Sequence, residues 1–291
     1  MNRVFKQLAI FIALLSASII LTYPYGEIIK DKINKNATSD SYKIHIDSVQ
    51  ANLLGRGSIS SALLTAYSEG LQIPFLVNTG SFNLSWLSLL SLSPTVEANG
   101  FAYNGTVSTL FKKNLFSDIV GYKIELRNLD LAKHPLFSSL GFRGQLSLTG
   151  QLELTKDNKL FGDSSFLNLN IDNGYYSGGH TIFGIIKLPN VDEIKLELKL
   201  AGKPAQIEIQ NSSLSCSLGR ATLDARIAYY ALPLKINYQA NSKISLEPEG
   251  ARLFGGYLGL LAGDVNIKSN RWTVEFSGDE RTVANVKARP S

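Results

Sequence analysis

Strict alternation of apolar and polar residues is the strongest constraint on this chain. Between Gly144 and Thr155, Leu146, Leu148, Leu152 and Leu154 stand against Gln145, Ser147, Gln151 and Glu153. Successive side chains of an extended strand point to opposite faces, so a period of two predicts a strand with one apolar and one polar side. Gly150 falls on the apolar side and leaves the register unchanged. Ile194–Leu200 repeats the pattern, with Leu196 and Leu198 between Lys195, Glu197 and Lys199. It begins at Tyr42, Ile44 and Ile46, set against Lys43, His45 and Asp47, and it recurs near the end in Arg271–Ser277.

Between these landmarks the chain reads as more strands and tight connections. Leu71–Val77 is a strand whose Pro74 favours an edge or a bulge. Gly100–Ser108 is a strand interrupted at Asn99-Gly100 and Asn104-Gly105, both hairpin pairs. Tyr122–Leu131, Phe166–Ile171, Ala205–Gln210, Gly219–Tyr230 and Leu234–Leu246 continue the meander. Asp157-Asn158-Lys159 and Asp172-Asn173-Gly174 read as turns, and Gly178-Gly179 as a bend. Helical pieces are few and short: one after Gly26 and Ala132–Gly141 with a glycine cap. Ser81–Ser93 alternates like a strand at first and then offers one or two helical turns at Trp86–Leu90. Phe254–Gly263 is a Gly-rich segment open to helix or bent strand. In the last, Gly255, Gly259 and Gly263 have the spacing of a membrane-helix contact, but the run is too short to span a bilayer. We read it as a buried helix or bent strand that closes the domain. A loose repeat links Gly144–Leu152 with Gly219–Ile227, two copies of a strand-turn-strand unit rather than a solenoid.

The fold expected is therefore mainly β: a long, curved antiparallel sheet, folded over or half-barrel-like, with a few short helices. Such a sheet has one apolar face. With so little helix to cover it, the face must fold on itself, pack on a partner or line a groove for apolar material. Leu146, Leu148, Leu152, Leu154, Leu196 and Leu198 are the candidate contact residues.

At the amino terminus, Val4–Tyr25 is an apolar run without charge from Leu8 to Leu21. A bilayer core takes roughly 17–25 such residues in a helix, whose backbone groups pair within the segment. We read Leu8, Ile10, Phe11, Ile12, Leu14, Leu15, Ile19, Ile20 and Leu21 as a membrane anchor that ends at Tyr23-Pro24-Tyr25. The competing reading is a cleaved signal peptide, with Arg3 and Lys6 as its charged end and Ser16-Ala17-Ser18 as its cleavage site. Ile19-Ile20-Leu21 carries the run straight through that site, which favours the anchor. Basic residues on both sides (Arg3 and Lys6; Lys30, Lys32 and Lys35) leave direction open, and we place the amino terminus in the cytoplasm. The division expected is 1–25 for the cytoplasmic start and anchor, 26–41 for a connector, and 42–291 for a β-rich domain in the periplasm.

Composition excludes some classes. A hydrophobic share of 44% with 18% charged residues is that of a folded chain. The net charge of +5 is scattered rather than gathered in a stripe with aromatics, so a nucleic-acid partner is not expected. Cys216 is the single cysteine and reads as a small core residue, which leaves no intrachain disulfide. His45, His134 and His180 share no metal-ligand spacing. We read His45 as a surface residue and His134 as a turn or cap residue before Pro135. No nucleophile elbow, phosphate loop or dinucleotide fingerprint occurs, and Asp192-Glu193 reads as a loop pair. We expect no enzyme, cofactor or metal.

The layout resembles the N protein of bacterial type II secretion systems (the GspN family). The resemblance runs over nearly the whole chain. It is carried by a short cytoplasmic start, one anchor running into Thr22-Tyr23-Pro24-Tyr25, and strand-rich sequence after it. It is sharpened by Leu129-Asp130-Leu131 with Leu136 and the Gly141–Leu154 strand pair, and by Leu258–Pro290 with Gly278. More distantly the chain is similar to AsmA-like envelope proteins, which place Gly-x-Leu-x-Leu-x-Gly strands behind one anchor. The first resemblance implies a non-catalytic accessory component of type II secretion in the bacterial inner membrane, bound to other secretion proteins. The second implies a greasy sheet interior that handles lipid acyl chains. A periplasmic hydrolase is the remaining class.

Overall fold

The computed structural model describes residues 24–36, 38–39, 42–52, 54–68, 71–116, 120–154, 164–182, 186–203, 205–231, 234–264, 267, 269–279 and 285–291. The nine anchor residues from Leu8 to Leu21 lie outside them, as does the turn expected at Asp157-Asn158-Lys159. Among the described residues no helix is long and apolar enough to cross a membrane. The protein is mainly β with few short helices, and the chain divides into two compact units, Met1–Ala102 and Tyr103–Ser291.

The first unit opens with helix α1 (Tyr25–Asn36). Strands β1 (Thr38–Ser39), β2 (Tyr42–Ala51), β3 (Arg56–Ser68) and β4 (Leu71–Leu84) follow, then a helical turn α2 (Trp86–Leu90) and β5 (Thr95–Ala102). Each strand pairs antiparallel with the next in sequence. Cross-strand sets Ile44–Leu64–Phe75 and Ile46–Ala62–Val77 gather the apolar residues on one side. Helix α1 lies along β2: the Asn34 side chain donates to the Ile46 carbonyl at 3.1 Å and accepts from the Ile46 N–H at 2.8 Å. It takes the place of a strand neighbour and blocks further pairing at that point. Gly26 permits the approach, since a Cβ there would sit 2.0 Å from the Val49 carbonyl oxygen.

Two turn expectations are corrected here. Asn99-Gly100 lies inside β5, where Gly100 pairs with Gly80 and a Cβ would come within 2.8 Å of the Thr79 carbonyl oxygen. Close approach explains this glycine. At Asn104-Gly105 the turn is centred one residue earlier, because Tyr103 and Asn104 both hold positive φ (47° and 63°), as a type I′ turn requires. Pro74 pairs with Thr65 of β3 and lies outside the β4–β5 register, which covers Thr79–Leu84.

In the second unit β6 (Gly105–Lys113) and β7 (Val120–Asp130) lead through a 3-10 turn (Leu131–Lys133) and α3 (Pro135–Ser139) to β8 (Phe142–Leu154) and β9 (Phe166–Tyr176). His134 caps α3, its Nδ1 accepting from the Leu136 N–H at 3.2 Å. Gly141 follows with φ +68°. A small hairpin, β10 (Thr181–Ile182) with β11 (Ile186–Lys187), precedes β12 (Val191–Lys203), β13 (Gln206–Cys216), β14 (Gly219–Ala231) and β15 (Leu234–Leu246). Helix α4 (Pro248–Leu261), β16 (Arg271–Asp279) and β17 (Asn285–Pro290) complete it. The sheet order follows the chain apart from the small hairpin, and β6 and β17 do not pair with each other.

Bulges recur in these strands. The register shifts beside Asn128 in β7, Asn173 in β9, Glu193 in β12 and Asn211 in β13, all with positive φ. The expected turn at Asp172-Asn173-Gly174 and the expected loop at Asp192-Glu193 are therefore bulges within strands. Each adds a residue to one side of the ladder and bends its strand.

Candidate functional site

The bulges have a chemical consequence: they keep aliphatic residues on one side. In β7 the apolar positions run Ile124, Leu126 and then Leu129, and the skip at Asn128 restores the face. Cross-strand pairing then builds a row from Leu129 through Leu146, Ile171, Leu196, Leu214, Ala221 and Ile244 to Trp272. A second row joins Val107, Leu126, Leu148, Leu169 and Leu198. Leu152 pairs with Tyr122, whose ring meets Phe111 edge-on at 5.2 Å. Leu146, Leu148, Leu152, Leu196 and Leu198 thus share one face and are half-buried, and Leu154 pairs with Val120 in the same strand.

Helix α4 covers one end of this face. Pro248 opens the helix with its φ already suited and no N–H to satisfy. Gly250 lets the helix backbone rest on the β13–β14 turn, where a Cβ would stand 2.0 Å from the Leu218 carbonyl oxygen. Leu253 and Phe254 pack on Val191, Ile194 and Leu218, and half-buried Cys216 joins this cluster. Leu258 packs on Trp272, Val274 and Ala288. Trp272 is fully buried and its indole N–H donates to the Ser269 carbonyl at 2.9 Å. In the row through Leu148, Leu126 is buried while Val107, Leu148, Leu169 and Leu198 are half-buried, away from these clusters.

On the polar side one carboxylate stands out that the sequence reading passed over. Glu208 is buried and accepts from Lys203 Nζ, Gln206 Nε2 and Gln210 Nε2, each at 2.8 Å, with Arg226 Nη2 at 3.8 Å. The Lys203 and Gln210 hydrogen bonds hold its pKa below the usual carboxylate range. An open recess of about 370 Å³ beside it is lined by Gln210, Asp224, Arg226, Gln239 and Asn241. Gln206-Ile207-Glu208-Ile209-Gln210 carries the signal in its alternation, which puts all three polar residues on one side. With its oxygens engaged by three donors, Glu208 ties β12 to β13 rather than standing ready as a base.

His45 is exposed and 3.3 Å from Asp47, and His180 Nδ1 lies 2.7 Å from the Tyr176 hydroxyl. Among the described residues no three His, Cys, Asp or Glu side chains come together in a metal-binding group. Comparison of the chain with protein-family models, with curated proteins and with solved structures returns no match.

Proposed function

We propose that the protein is a non-catalytic accessory component of type II secretion, held at the inner membrane by its amino-terminal segment and working through the apolar sheet face of its second unit. The observation that carries this reading is the half-buried stretch of the aliphatic face at Leu148, Leu169 and Leu198. Its rows cross the sheet without a charged residue, while α4 covers only one end. A large contiguous apolar patch left accessible marks an interaction site. The layout of anchor followed by strands supports the secretion setting.

A second reading, lipid carriage in the envelope, is favoured by the composition of the rows. Val107, Leu126, Leu148, Leu169 and Leu198 offer an acyl chain contacts without a polar interruption. A photo-crosslinking residue at Leu148 in the native bacterium separates the two. Adducts to secretion proteins support the accessory role, and lipid adducts alone replace it with the carrier role. No adduct of either kind means the face is sealed within the protein, which overturns both.

A further inference from the structure

One end of the first unit carries several exposed leucines. Leu54 in the β2–β3 turn is 57% exposed; Leu87 and Leu90 on α2 are 79% and 82% exposed, and Leu92 is 41% exposed. The Leu84 N–H donates to the Gly55 carbonyl at 2.9 Å, which ties the two loops into one tip. From Leu84 to Val96 the chain has no charged residue.

The polar groups of this tip turn inward on one another. Ser88 Oγ donates to the Ser85 carbonyl, Ser91 Oγ to the Ser88 carbonyl at 3.0 Å, and Thr95 Oγ1 to the Ser93 carbonyl at 3.1 Å. The Thr95 N–H donates to Ser88 Oγ at 2.8 Å, and the Ser85 N–H to the Thr95 carbonyl at 3.0 Å. Such local bonds are common in turns, and they also meet the requirement that a segment touching hydrocarbon satisfy its polar groups internally. A protein partner would ordinarily find hydrogen-bonding handles at its docking site. Three hydroxyls of this tip bond to its own backbone, and its leucines face outward.

The position of α1 adds an independent observation. Gly26 lies against Val49 and Gln50, at the end of β2 that runs into the Leu54 turn. The chain therefore enters α1 from residues 1–23 at the same end of the unit as the leucines. An anchor at Val4–Tyr25 would bring its bilayer to this tip, with Arg56 at the rim suited to anionic headgroups.

We infer that the tip formed by Leu54, Leu87, Leu90 and Leu92 dips into the lipid bilayer surface, a second membrane contact that fixes the orientation of the first unit. The inference rests in part on the anchor reading, and one experiment separates them. The full chain with Cys216→Ser receives an environment-sensitive fluorophore at Ile12→Cys, Leu90→Cys or, at the opposite end of the unit, Gln72→Cys. Each is reconstituted in phosphatidylcholine–phosphatidylglycerol vesicles with and without acyl-brominated lipid. The expected result is a blue shift and bromolipid quenching at positions 12 and 90 and neither at 72, with Leu87→Asp abolishing the quenching at 90. Quenching at 12 but not 90 overturns the tip contact and leaves the anchor. Quenching at 90 but not 12 keeps the tip and removes the anchor. A blue shift at 90 without quenching means burial against a second copy, and quenching at 72 equal to that at 90 means general immersion; either overturns the inference.

Discussion

In the second unit Trp272 is fully buried, and Val274 nearly so, beneath a helix that crosses the end of an apolar sheet face. In the first unit Ile46 and Val49 of β2, the strand beside the helix, are buried, but Leu64 on the apolar side of β3 remains 39% exposed, and the helix lies along the edge of β2. Both units have the same raw material, alternating strands joined by short turns. The difference is where the chain lays down its helix. Over the face, a helix removes apolar area from water and makes a core. Along the edge, it satisfies backbone groups and ends the pairing, but leaves the apolar side of the next strand partly wet at Leu64.

The strongest way to break this comparison is Trp272→Ala. Removing a large, fully buried aromatic costs roughly 3–5 kcal/mol of stability. Urea unfolding should show that loss in the second unit, with the α1–β2 region unaffected. A loss near zero would mean that α4 does not make the core ascribed to it. Next comes Asn34→Ala, which leaves the Ile46 N–H and carbonyl without their side-chain partner at a cost of about 1–3 kcal/mol. Faster amide exchange at Ile46, with Trp272 fluorescence unchanged, is the expected signature; unchanged exchange would remove the edge-blocking role of α1.

How far this division was legible in the sequence depends on the kind of signal. Strands with period two were plain, as in Gly144–Leu154 and Ile194–Leu200, because burial on one face writes itself into every second residue. The register pairs Leu146 with Ile171 and Ile171 with Leu196, and likewise Leu148 with Leu169 and Leu169 with Leu198. Less plain were the bulges. Asp172-Asn173-Gly174 has the composition of a turn, and only the three-residue skip from Ile171 to Gly174 marks it as a bulge that keeps the face continuous. The same skip flanks Asn128, Glu193 and Asn211, so spacing carried information that composition masked. Gly144 and Gly219, the first residues of the loose repeat, share φ values of +150° and +149°, a conformation that side chains disfavour. The Glu208 cluster joins Lys203 of one strand to Glu208 and Gln210 of the next and to Arg226 beyond. No local pattern predicts a contact made through register, so it stayed hidden.

A smaller effect, confined to acid, tests that cluster. The folded pKa of Glu208 is depressed, first by the hydrogen bond from Lys203 and then by that from Gln210. The ionised form is therefore favoured by folding. Its stabilisation is present above the ordinary glutamate range, near pH 4.3, and fades as the pH falls through the lower folded value. Urea midpoints of the protein should drop with acid over that window, and Glu208→Gln should flatten the slope. An unchanged slope would assign the acid sensitivity to other carboxylates.

The smallest expected effect is the most direct reading of the contrast. Leu64 pairs with Ile44 and Phe75 on the apolar side of the first unit and is 39% exposed. If that face is wet in the free protein, Leu64→Ser removes little buried area and shifts stability by about 0.5 kcal/mol or less, the usual range for an exposed position. Leu148→Ser, on the half-buried row of the second unit, should cost clearly more, because it leaves a hydroxyl between Leu126 and Leu169. Equal costs at the two positions would mean that the first unit's face is covered as well, and the distinction between a helix on a face and a helix on an edge would lose its energetic meaning. A negligible cost at both would place the Leu148 row in water too, and the binding surface proposed for the second unit would then be open along its whole length before any ligand arrives.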